Sequence, residues 1–377
     1  MISSQFSTTS TQVILVRHAR TTYNEQGRFQ GSSDDSVLTE KGYQDAFLTG
    51  LALKKYNFDA IYTSPLMRVQ QTTEAILNAL KSQNRFPPVY TDSQLTEICM
   101  SAWQGLFYQE VKEKYATAYR CWQDTPHLFN FNDQVFPVLD LFNQAQQFWK
   151  KVLNQHRGQT ILVVAHGGTN RALISIAMGL KPEYYNSLQQ SNSGISHLKF
   201  VSDHALGKLE YLNITNHLGE TLPKLKAGKT GFRWLLLSNA IAKTSVFYSN
   251  LKTIINGNSI DFILTDESVS NLWLDQLLGA YQTLRLSIPK NYSIQKWQQK
   301  FFEQHTFKNN LEKARLVTGF IVASEPLLSQ ILQNTLTFET SFNLENHLAI
   351  IHCPQVNRHS ILQGILPLNE QLFPQLN

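Results

Sequence analysis

The sequence predicts an α/β fold, a three-layer sandwich built around a mainly parallel central sheet. Segments typical of strands alternate along the chain with segments typical of helices, which is the order expected of parallel strands joined by crossover helices. The segment at 13–16 is an unbroken apolar run, and the segment at 160–165 is apolar after Thr160. Such runs are expected of strands that helices cover on both faces.

The predicted elements follow one another in a regular order. The strand at 13–16 leads through a polar stretch to a helix that begins after Thr39, whose hydroxyl can cap the first-turn amides. A strand at 58–63 precedes a helix at 65–80, which has a proline near its start. The remaining predictions for the first half are a strand near 89–90, helices at 110–122 and 140–155, a strand at 160–165 that runs into two glycines and a helix, and two antiparallel edge strands at 197–201 and 209–214.

The chain is long enough for two domains, and its composition changes between them. Residues 223–230 are basic and contain glycine, which is typical of an inter-domain linker. We therefore predict a disordered tail at 1–11, a first domain at 12–222 and a second domain at 231–377.

The second domain is predicted to be a degenerate copy of the first. Apolar segments recur in the same order, although any α/β domain contains buried apolar strands. The segments that align are 234–239 with 13–18, 260–265 with 58–63, 266–279 with 64–77 and 319–324 with 161–166.

Composition and charge exclude several classes of protein. The 377 residues are 42% hydrophobic and 16% charged, as in folded globular proteins. The net charge of +5 is spread without a dense basic run, which argues against a nucleic-acid partner. The start is polar and no run reaches roughly 18 apolar residues, so we expect neither a secretory signal nor a membrane partner. Three cysteines without CxxC spacing suit a reducing cytoplasmic location.

Polar side chains follow three of the predicted strands. Arg17 and His18 end the first strand, Arg68 lies shortly after the strand at 58–63, and His166 follows the strand at 160–165. Ligands of open α/β sheets bind beyond the carboxyl ends of the strands. We therefore expect these residues to meet at one edge of the sheet.

This combination suits phosphoryl transfer. An imidazole nitrogen can attack phosphorus and form a covalent intermediate, and arginines stabilise the charge on the phosphoryl oxygens. The leaving oxygen needs a proton from a carboxylic acid. Glu97, after the third strand, is the candidate, with Glu110 and Glu113 as nearby alternatives. No pattern typical of a metal site is present, and we expect neither a metal nor a cofactor.

Five short motifs occur in order between residue 12 and about residue 215. They are LVRH at 15–18 with Thr21 and Asn24, FQG at 29–31, LTEKG at 38–42, YTSPLMR at 62–68 with Gln71 and Thr72, and AHGG at 165–168. Together they resemble the histidine phosphatase superfamily, whose members are phosphoglycerate mutase-like. The resemblance implies the sandwich fold predicted above.

The resemblance also implies a role for each matching residue. His18 would carry the phosphoryl group, and Glu97 would donate a proton to the leaving group and later accept one from water. The residues that it places around the phosphate are Arg17, Asn24, Gln30, Arg68, His166 and the backbone of Gly167.

The sequence departs from the family pattern in three places, and the last of the three leaves the substrate undetermined. Ala19 replaces the usual glycine, Gln104 stands in Trp-Gln-Gly where many relatives have Trp-Glu-Gly, and 136–140 lacks the usual Gly-Glu-Ser. We expect metal-independent hydrolysis of a small phosphorylated metabolite, such as phosphoserine or a sugar phosphate. The short segment between Glu97 and His166 favours a phosphatase over a cofactor-dependent phosphoglycerate mutase, and a phosphate-sensing regulatory protein is a further alternative.

The second domain carries other residues at the positions that correspond to this site. We expect 231–377 to be non-catalytic and to serve packing, regulation or dimerisation, with a homodimer as the candidate assembly. The replacements are Ser238-Asn239 for Arg17-His18, Ser270 for Arg68, and Ser324-Glu325 for His166-Gly167.

Overall fold

A computed structural model describes most of the chain as two compact units. The units are Met1–Leu218 and Gly219–Asn377, so the division lies at 218/219, where the sequence predicts 222/223. The described residues are 10–81, 87–132, 134–202, 206–226, 230–241, 243–269, 275, 284–288, 315–337, 342, 344–354 and 359–372.

The first unit alternates strands and helices as the sequence predicts. Its strands are β1 (Thr11–Arg17), β2 (Ala60–Thr63), β3 (Val89–Thr91), β4 (Thr160–Ala165), β5 (Ile195–Phe200) and β6 (Lys208–Ile214). Its α-helices are α1 (Thr22–Gln26), α2 (Glu40–Ala52), α3 (Met67–Leu80), α4 (Tyr108–Lys114), α5 (Ala116–Asp124), α6 (Pro137–Gln155) and α7 (Gly167–Ala177). Short 3-10 turns cover Leu53–Lys55, Ser93–Leu95, Pro182–Ser187 and Asn216–Leu218.

The sheet of this unit has the strand order β3-β2-β4-β1-β5-β6. The first four strands are parallel to one another, whereas β5 is antiparallel to both β1 and β6. Arg17 pairs with Ala165, and Thr63 pairs with Val164. The carboxyl ends of β1, β4 and β2 therefore lie level with one another at one edge.

Helices cover both faces of this sheet, which makes the predicted three layers. On one face Ile14 of β1 lies in the same apolar cluster as Ile76 of α3. On the other face the ring of Tyr62 in β2 meets that of Phe148 in α6, with centroids 5.6 Å apart. Because both faces are buried, the strands need apolar residues at every position.

The structure differs from the predicted elements in a few places. The helix predicted at 110–122 is two helices, α4 and α5, since Tyr115 between them has φ −123° and ψ 40°. Thr11 already belongs to β1, so the strand begins within the predicted tail, whose residues 1–9 lie outside the described chain. Strand β5 lies inside the sheet and not at its edge. Thr39 caps α2 as predicted, and its Oγ1 accepts a hydrogen bond of 3.1 Å from the N–H of Gly42.

The second unit also contains a six-stranded sheet among its described residues. Its strands are β7 (Gly231–Ser238), β8 (Phe262–Thr265), β9 (Leu284–Ser287), β10 (Leu316–Ala323), β11 (His347–Cys353) and β12 (Ile361–Pro367), and its described helices are α8 (Ser245–Asn256) and α9 (Glu325–Leu336). The order is β9-β8-β10-β7-β11-β12, with parallel pairs up to β7 and antiparallel pairs thereafter. Most of the segment 266–279, which aligns with 64–77 in the sequence, lies outside the described residues.

The two sheets therefore have the same order of strands and the same directions. Their registers also agree at the carboxyl ends of the paired central strands. The His18 N–H donates to the Ala165 carbonyl at 2.8 Å, and the Asn239 N–H donates to the Ala323 carbonyl at 3.0 Å. No helix among the described residues is long and apolar enough to span a membrane.

Candidate active site

Four neighbouring strands bring the predicted catalytic residues to one edge of the first sheet. Arg17 is the last residue of β1 and His18 follows it, while His166 follows β4. Arg68 lies in the first turn of α3, directly after β2, and Glu97 follows the 3-10 turn behind β3. The parallel order β3-β2-β4-β1 thus places all five side chains at the same edge, as predicted.

The two imidazoles are buried side by side. The ring centroids of His18 and His166 lie 5.3 Å apart, with an angle of 64° between the planes. His18 Nδ1 lies 2.8 Å from the carbonyl oxygen of Ala19. Because a carbonyl can only accept, Nδ1 must carry the hydrogen, and the neutral ring keeps its lone pair on Nε2. Nε2 is therefore the nitrogen able to attack an electrophile.

The environment of His166 keeps its ring neutral. Burial first, and then the charges of Arg68 and Arg17 and the nearby His18 ring, hold its pKa well below the ordinary 6.5. Its Nε2 lies 2.8 Å from Ser64 Oγ, whereas its buried Nδ1 has no hydrogen-bond partner among the described residues. When Ser64 donates to Nε2, the ring hydrogen is on Nδ1, and Nδ1 can donate it to a bound ligand.

Arg68 is completely buried and only partly satisfied. Its Nη1 donates to the Ser33 carbonyl at 2.7 Å and its Nη2 to the Gly31 carbonyl at 2.8 Å. Its Nε has no partner among the described residues. Burial lowers the pKa of Arg68, while the charges of Glu97 and Asp34 raise it. The guanidinium is thus fixed in orientation by two carbonyls, and Nε is its one nitrogen without a partner among the described residues.

Arg17 is held in the same way. Its Nη1 donates to the Gln190 carbonyl at 2.8 Å, and its buried Nε has no partner within the described chain. Burial lowers its pKa to about 10, against the opposing effect of the Glu97 charge, so it remains a cation at neutral pH. A Cβ on Gly167 would lie 3.0 Å from this Nε. Glycine at 167 is therefore what allows the guanidinium to lie against the start of α7.

Glu97 is bound to the N-terminus of α7. Its Oε2 accepts from the Gly168 N–H at 3.0 Å, and its Oε1 accepts from the Thr169 N–H at 3.1 Å. These amides are orphan donors of the first helical turn, where a carboxylate is favoured. The two alternative acids lie on α4. Glu110 accepts a hydrogen bond from the Phe107 N–H at 2.9 Å, and Glu113 is exposed. Glu97 is thus the carboxylate placed beside His166.

The remaining predicted ligands lie in the segment after His18. Asn24 Oδ1 accepts from the Thr21 N–H at 3.3 Å and from Asn192 Nδ2 at 2.9 Å, so the amide nitrogen of Asn24 points away from both. Gln30 Oε1 lies 3.1 Å from Thr21 Oγ1. Ala19 is fully buried and is not among the described residues with positive φ. Its backbone conformation therefore accommodates an alanine, as the sequence analysis suggests.

The structure adds residues that the sequence analysis did not assign to the site. Ser64 contacts His166, and the N–H groups of Gly168 and Thr169 hold Glu97. Asn192 Nδ2 lies 3.1 Å from the His18 carbonyl and 3.2 Å from the Ala19 carbonyl. Ser64 and Gly168 lie within the motifs found in the sequence. Asn192 lies in a polar turn, and no sequence pattern indicates that this turn contacts the end of β1.

The described residues contain no group of three or more His, Cys, Asp and Glu side chains placed to hold a metal ion. The site is composed of two imidazoles, two guanidinium groups and one carboxylate. Such a set can bind a tetrahedral anion and can move both a phosphoryl group and a proton.

The corresponding edge of the second sheet is occupied differently. Asp266 Oδ2 accepts from the Ser324 N–H at 2.8 Å, and its Oδ1 accepts from the Ser268 N–H at 3.0 Å. Burial raises the pKa of Asp266, but these hydrogen bonds outweigh it and lower the value. Asn239 Nδ2 contacts Ser268 Oγ at 2.6 Å. Ser270, the predicted counterpart of Arg68, lies outside the described residues.

Comparisons with known proteins agree with the geometry of the first unit. A probable 2-carboxy-D-arabinitol-1-phosphatase of Arabidopsis thaliana is 42% identical over 201 residues, which are 53% of this chain and 40% of that protein. Phosphoserine phosphatase 1 of Hydrogenobacter thermophilus is 32% identical over 209 residues, 55% of this chain and 95% of that one. A 2,3-bisphosphoglycerate-dependent phosphoglycerate mutase of Buchnera aphidicola is 31% identical over 191 residues, 43% of this chain and 82% of that one.

The match to the Arabidopsis protein covers less than half of that relative's length. The family match covers more than half of this chain, from residue 13 to residue 215 of 377. It spans β1 to the end of β6 and includes every residue of the edge described above. The chain belongs to the histidine phosphatase superfamily (branch 1).

Proposed function

We propose that the chain is a metal-independent phosphatase that hydrolyses a small phosphate monoester through a phosphohistidine at His18. The observation that carries the proposal is the edge of the first sheet. There the tautomer of His18 leaves the lone pair on Nε2, and two buried guanidinium groups each have an Nε without a described partner. A phosphate dianion would satisfy both of them.

The proposed reaction gives each of these side chains a step. His18 Nε2 attacks phosphorus, and the bond from phosphorus to the ester oxygen breaks with its electron pair on oxygen. Glu97, in its protonated form, gives that oxygen a proton, a contribution of roughly 10²–10⁴-fold, and the alcohol leaves. Water then attacks the phosphohistidine while Glu97 takes its proton. The electron pair of the N–P bond returns to His18, and inorganic phosphate is released.

The substrate class that we propose is a small phosphorylated metabolite that also carries a carboxylate. The Arabidopsis relative is named for a carboxylated sugar phosphate and the Hydrogenobacter relative for phosphoserine. Arg171 offers a further cation near the site, since it lies on α7, the helix whose first-turn amides bind Glu97. Its Nε donates to the Leu188 carbonyl at 2.8 Å, and its guanidinium lies 5.5 Å from the centroid of the Tyr185 ring.

A substrate panel tests both parts of the proposal. Phosphate release from phosphoserine, carboxylated and neutral sugar phosphates and p-nitrophenyl phosphate would be measured with and without EDTA. We expect activity to survive EDTA, and Arg171→Ala to raise KM for the carboxylated esters but not for p-nitrophenyl phosphate. An equal rise in KM for every ester would contradict the proposal that Arg171 binds the carboxylate of the substrate.

The mechanism is tested by His18→Ala together with acid-quench trapping of the phosphoenzyme. We expect the variant to lose both hydrolysis and the trapped phosphohistidine. His359→Ala is the matched control, because His359 is exposed in the second unit. Retained hydrolysis in His18→Ala would show that another group is the nucleophile.

A mutase is the second candidate, and the similarity to the Buchnera enzyme favours it. A mutase shelters the phosphohistidine from water and transfers the phosphoryl group back to the substrate, whereas a phosphatase lets water reach it. Incubation with 3-phosphoglycerate and 2,3-bisphosphoglycerate distinguishes the two. Rapid isomerisation with little release of phosphate would favour the mutase.

We further propose that the second unit is a degenerate, non-catalytic copy of the first. The support is the shared strand order together with a hydrogen-bonded pair that recurs at the start of the strands. Asp59 N–H donates to the Thr160 carbonyl at 2.7 Å, and Thr160 N–H donates to Asp59 Oδ2 at 2.9 Å. Asp261 and Thr318 exchange the same two bonds, at 2.9 and 2.7 Å.

A further inference from the structure

A polar turn at 190–194, before β5, holds the end of β1. The Gly194 carbonyl accepts from the Arg17 N–H at 3.3 Å, and the Ser193 N–H donates to the Arg17 carbonyl at 3.1 Å. The Gln190 carbonyl accepts from Arg17 Nη1 at 2.8 Å. One turn therefore fixes both the backbone and the side chain of the residue that precedes His18.

Asn192, in the middle of this turn, reaches the nucleophile itself. Its Nδ2 lies 2.9 Å from Asn24 Oδ1, 3.1 Å from the His18 carbonyl and 3.2 Å from the Ala19 carbonyl. Two amide hydrogens meet three acceptors, so one hydrogen serves Asn24 and the other is shared between the two carbonyls. The Ala19 carbonyl also accepts the hydrogen of His18 Nδ1, at 2.8 Å.

We propose that Asn192 is a positioning residue that fixes the tautomer of His18. By donating to the Ala19 carbonyl, it holds that oxygen in the direction from which it accepts the Nδ1 hydrogen. The lone pair then stays on Nε2, where attack on phosphorus requires it. Asn192 also donates to Asn24 Oδ1, which leaves the amide nitrogen of Asn24 as the donor for phosphate. The effect on catalysis rests on the proposed function, whereas the effect on the tautomer does not.

The turn is anchored firmly enough to act in this way. The Ser191 N–H donates to Asn213 Oδ1 of β6 at 2.6 Å. A Cβ on Gly194 would lie 2.5 Å from the same oxygen, so the strand and the turn approach as closely as glycine allows. Ser193 adopts φ 56°, a left-handed conformation that few residues other than glycine hold without support. The position of Asn192 is thus set by β6 as well as by its own contacts.

The experiment compares Asn192→Asp with the full-length wild-type chain. Aspartate keeps the shape but replaces the donor with an acceptor, which repels the Ala19 carbonyl and Asn24 Oδ1. The tautomer of His18 is read without substrate from the ¹⁵N shifts of histidine-labelled protein, with the His18 signals identified by their loss in His18→Ala. The rate of phosphoenzyme formation is read separately in a rapid-quench burst with p-nitrophenyl phosphate.

Asn250→Asp is the matched control. Asn250 is also a buried asparagine whose Nδ2 donates to two carbonyls, those of Leu368 at 2.9 Å and Glu370 at 2.6 Å. It lies in the second unit, which holds none of the proposed catalytic residues. The control therefore shows what the same substitution does to stability at a buried asparagine that does not contact His18.

We expect Asn192→Asp to shift the His18 signals toward the Nδ1-unprotonated tautomer and to slow the burst by about tenfold to a hundredfold with KM little changed. Asn250→Asp should do neither. Asn192→Ala removes the contacts without adding a charge and should shift the His18 signals in the same direction. It provides the test when the aspartate variant does not fold.

Unchanged His18 signals in the folded Asn192 variants would overturn the proposal, as would an equal shift in Asn250→Asp. Hydrolysis that survives His18→Ala would instead contradict the proposed function. It would not affect the conclusion that Asn192 fixes the tautomer of His18. The two failures are therefore distinguishable.

Discussion

Glu97 and Gly168 are joined by a hydrogen bond of 3.0 Å, from the backbone N–H of the glycine to Oε2 of the carboxylate. The carboxylate lies where a side chain at 168 would stand, since an added Cβ would collide with Glu97 Oε1 and with the Tyr185 hydroxyl. The helix that follows His166 thus also positions the proposed acid. One short segment, 166–169, sets the distance between the phosphate ligand and the proton donor.

Gly168→Ala should therefore displace Glu97 and weaken acid catalysis. We expect kcat for an alkyl phosphate to fall by about 10²-fold, and kcat for p-nitrophenyl phosphate to fall much less, because a good leaving group needs little protonation. Parallel assays of the two esters check this, with Glu97→Gln as the reference for complete loss of the acid. Equal losses on both esters would indicate general disruption of the site.

Arg68→Lys should be a severe change although it keeps the positive charge. Arg68 spends Nη1 and Nη2 on two carbonyls and has Nε left for the substrate, whereas an ammonium cannot hold this fixed planar geometry. We expect kcat/KM to fall by about 10²-fold, with weaker competition by inorganic phosphate. Arg157→Lys, on the exposed loop before β4, is the control. Wild-type inhibition by phosphate in Arg68→Lys would contradict the assignment.

Ser64→Ala tests how His166 is oriented. Loss of the 2.8 Å contact to Nε2 frees the ring to turn, so that Nδ1 no longer presents its hydrogen to the phosphate. We expect about a tenfold loss in kcat/KM with little loss of stability, since a single neutral hydrogen bond contributes about 1 kcal/mol. Steady-state kinetics together with the thermal midpoint would check both parts. Ser64→Thr, which keeps a hydroxyl, should recover part of the activity unless the contact is irrelevant.

The stability of the first unit should fall as the pH is lowered below 6.5. Burial lowers the pKa of His217 from 6.5 to about 4, and its Nε2 lies 3.0 Å from Thr49 Oγ1. Between these values the unfolded chain binds a proton that the folded chain does not, so stability is present above pH 6.5 and is lost toward pH 4. At pH 5 the loss from this group is about 2 kcal/mol.

His217→Gln should remove this part of the pH dependence. The comparison is urea denaturation of the variant and the wild type at pH 7.5 and at pH 5, with His359→Gln as the exposed control. We expect the wild type to lose about 2 kcal/mol more than His217→Gln between the two pH values. Identical pH dependence in both proteins would show that His217 is protonated in the folded state.

Residues 10–222 should be active when expressed alone. All proposed catalytic residues lie in the first unit, and the family match ends at residue 215. Phosphoserine phosphatase 1 of Hydrogenobacter thermophilus is matched over 95% of its length by 55% of this chain. We expect kcat within about threefold of the full chain on p-nitrophenyl phosphate, since the proposed site lies entirely within the first unit. A fragment that folds, as judged by circular dichroism, but has no activity would show that the second unit contributes to catalysis.

The order of elements could be predicted because each carries a local signal. The apolar run at 160–165 predicts a buried strand wherever that strand lies in the sheet, and Thr39 caps the helix that follows it. The break between α4 and α5 carries no such signal, since Tyr115 is neither glycine nor proline. The placement of β5 inside the sheet also depends on pairing between distant strands, which local periodicity does not specify.

The first contacts of the site could be predicted, but not what orients them. Arg17, His18 and His166 stand at strand ends, where the topology alone brings them together. The partners Ser64, Gly168 and Asn192 act through single hydrogen bonds whose existence depends on tertiary distances of about 3 Å. Asn192 is more than 170 positions from His18 along the chain, and only the path of β5 beside β1 makes them neighbours.

The carboxylate of Asp266 has a consequence for how the second unit could change. Its oxygens accept hydrogen bonds from the amides of Ser324 and Ser268, which fix a carboxylate at the edge that corresponds to the phosphate site of the first unit. Restoring arginine and histidine at Ser238 and Asn239 would therefore not revive a phosphate site by itself, because a resident negative charge would have to be removed as well. Under the proposed duplication, the loss of the second site is therefore difficult to reverse. Several substitutions would have to revert together before any one of them restored phosphate binding.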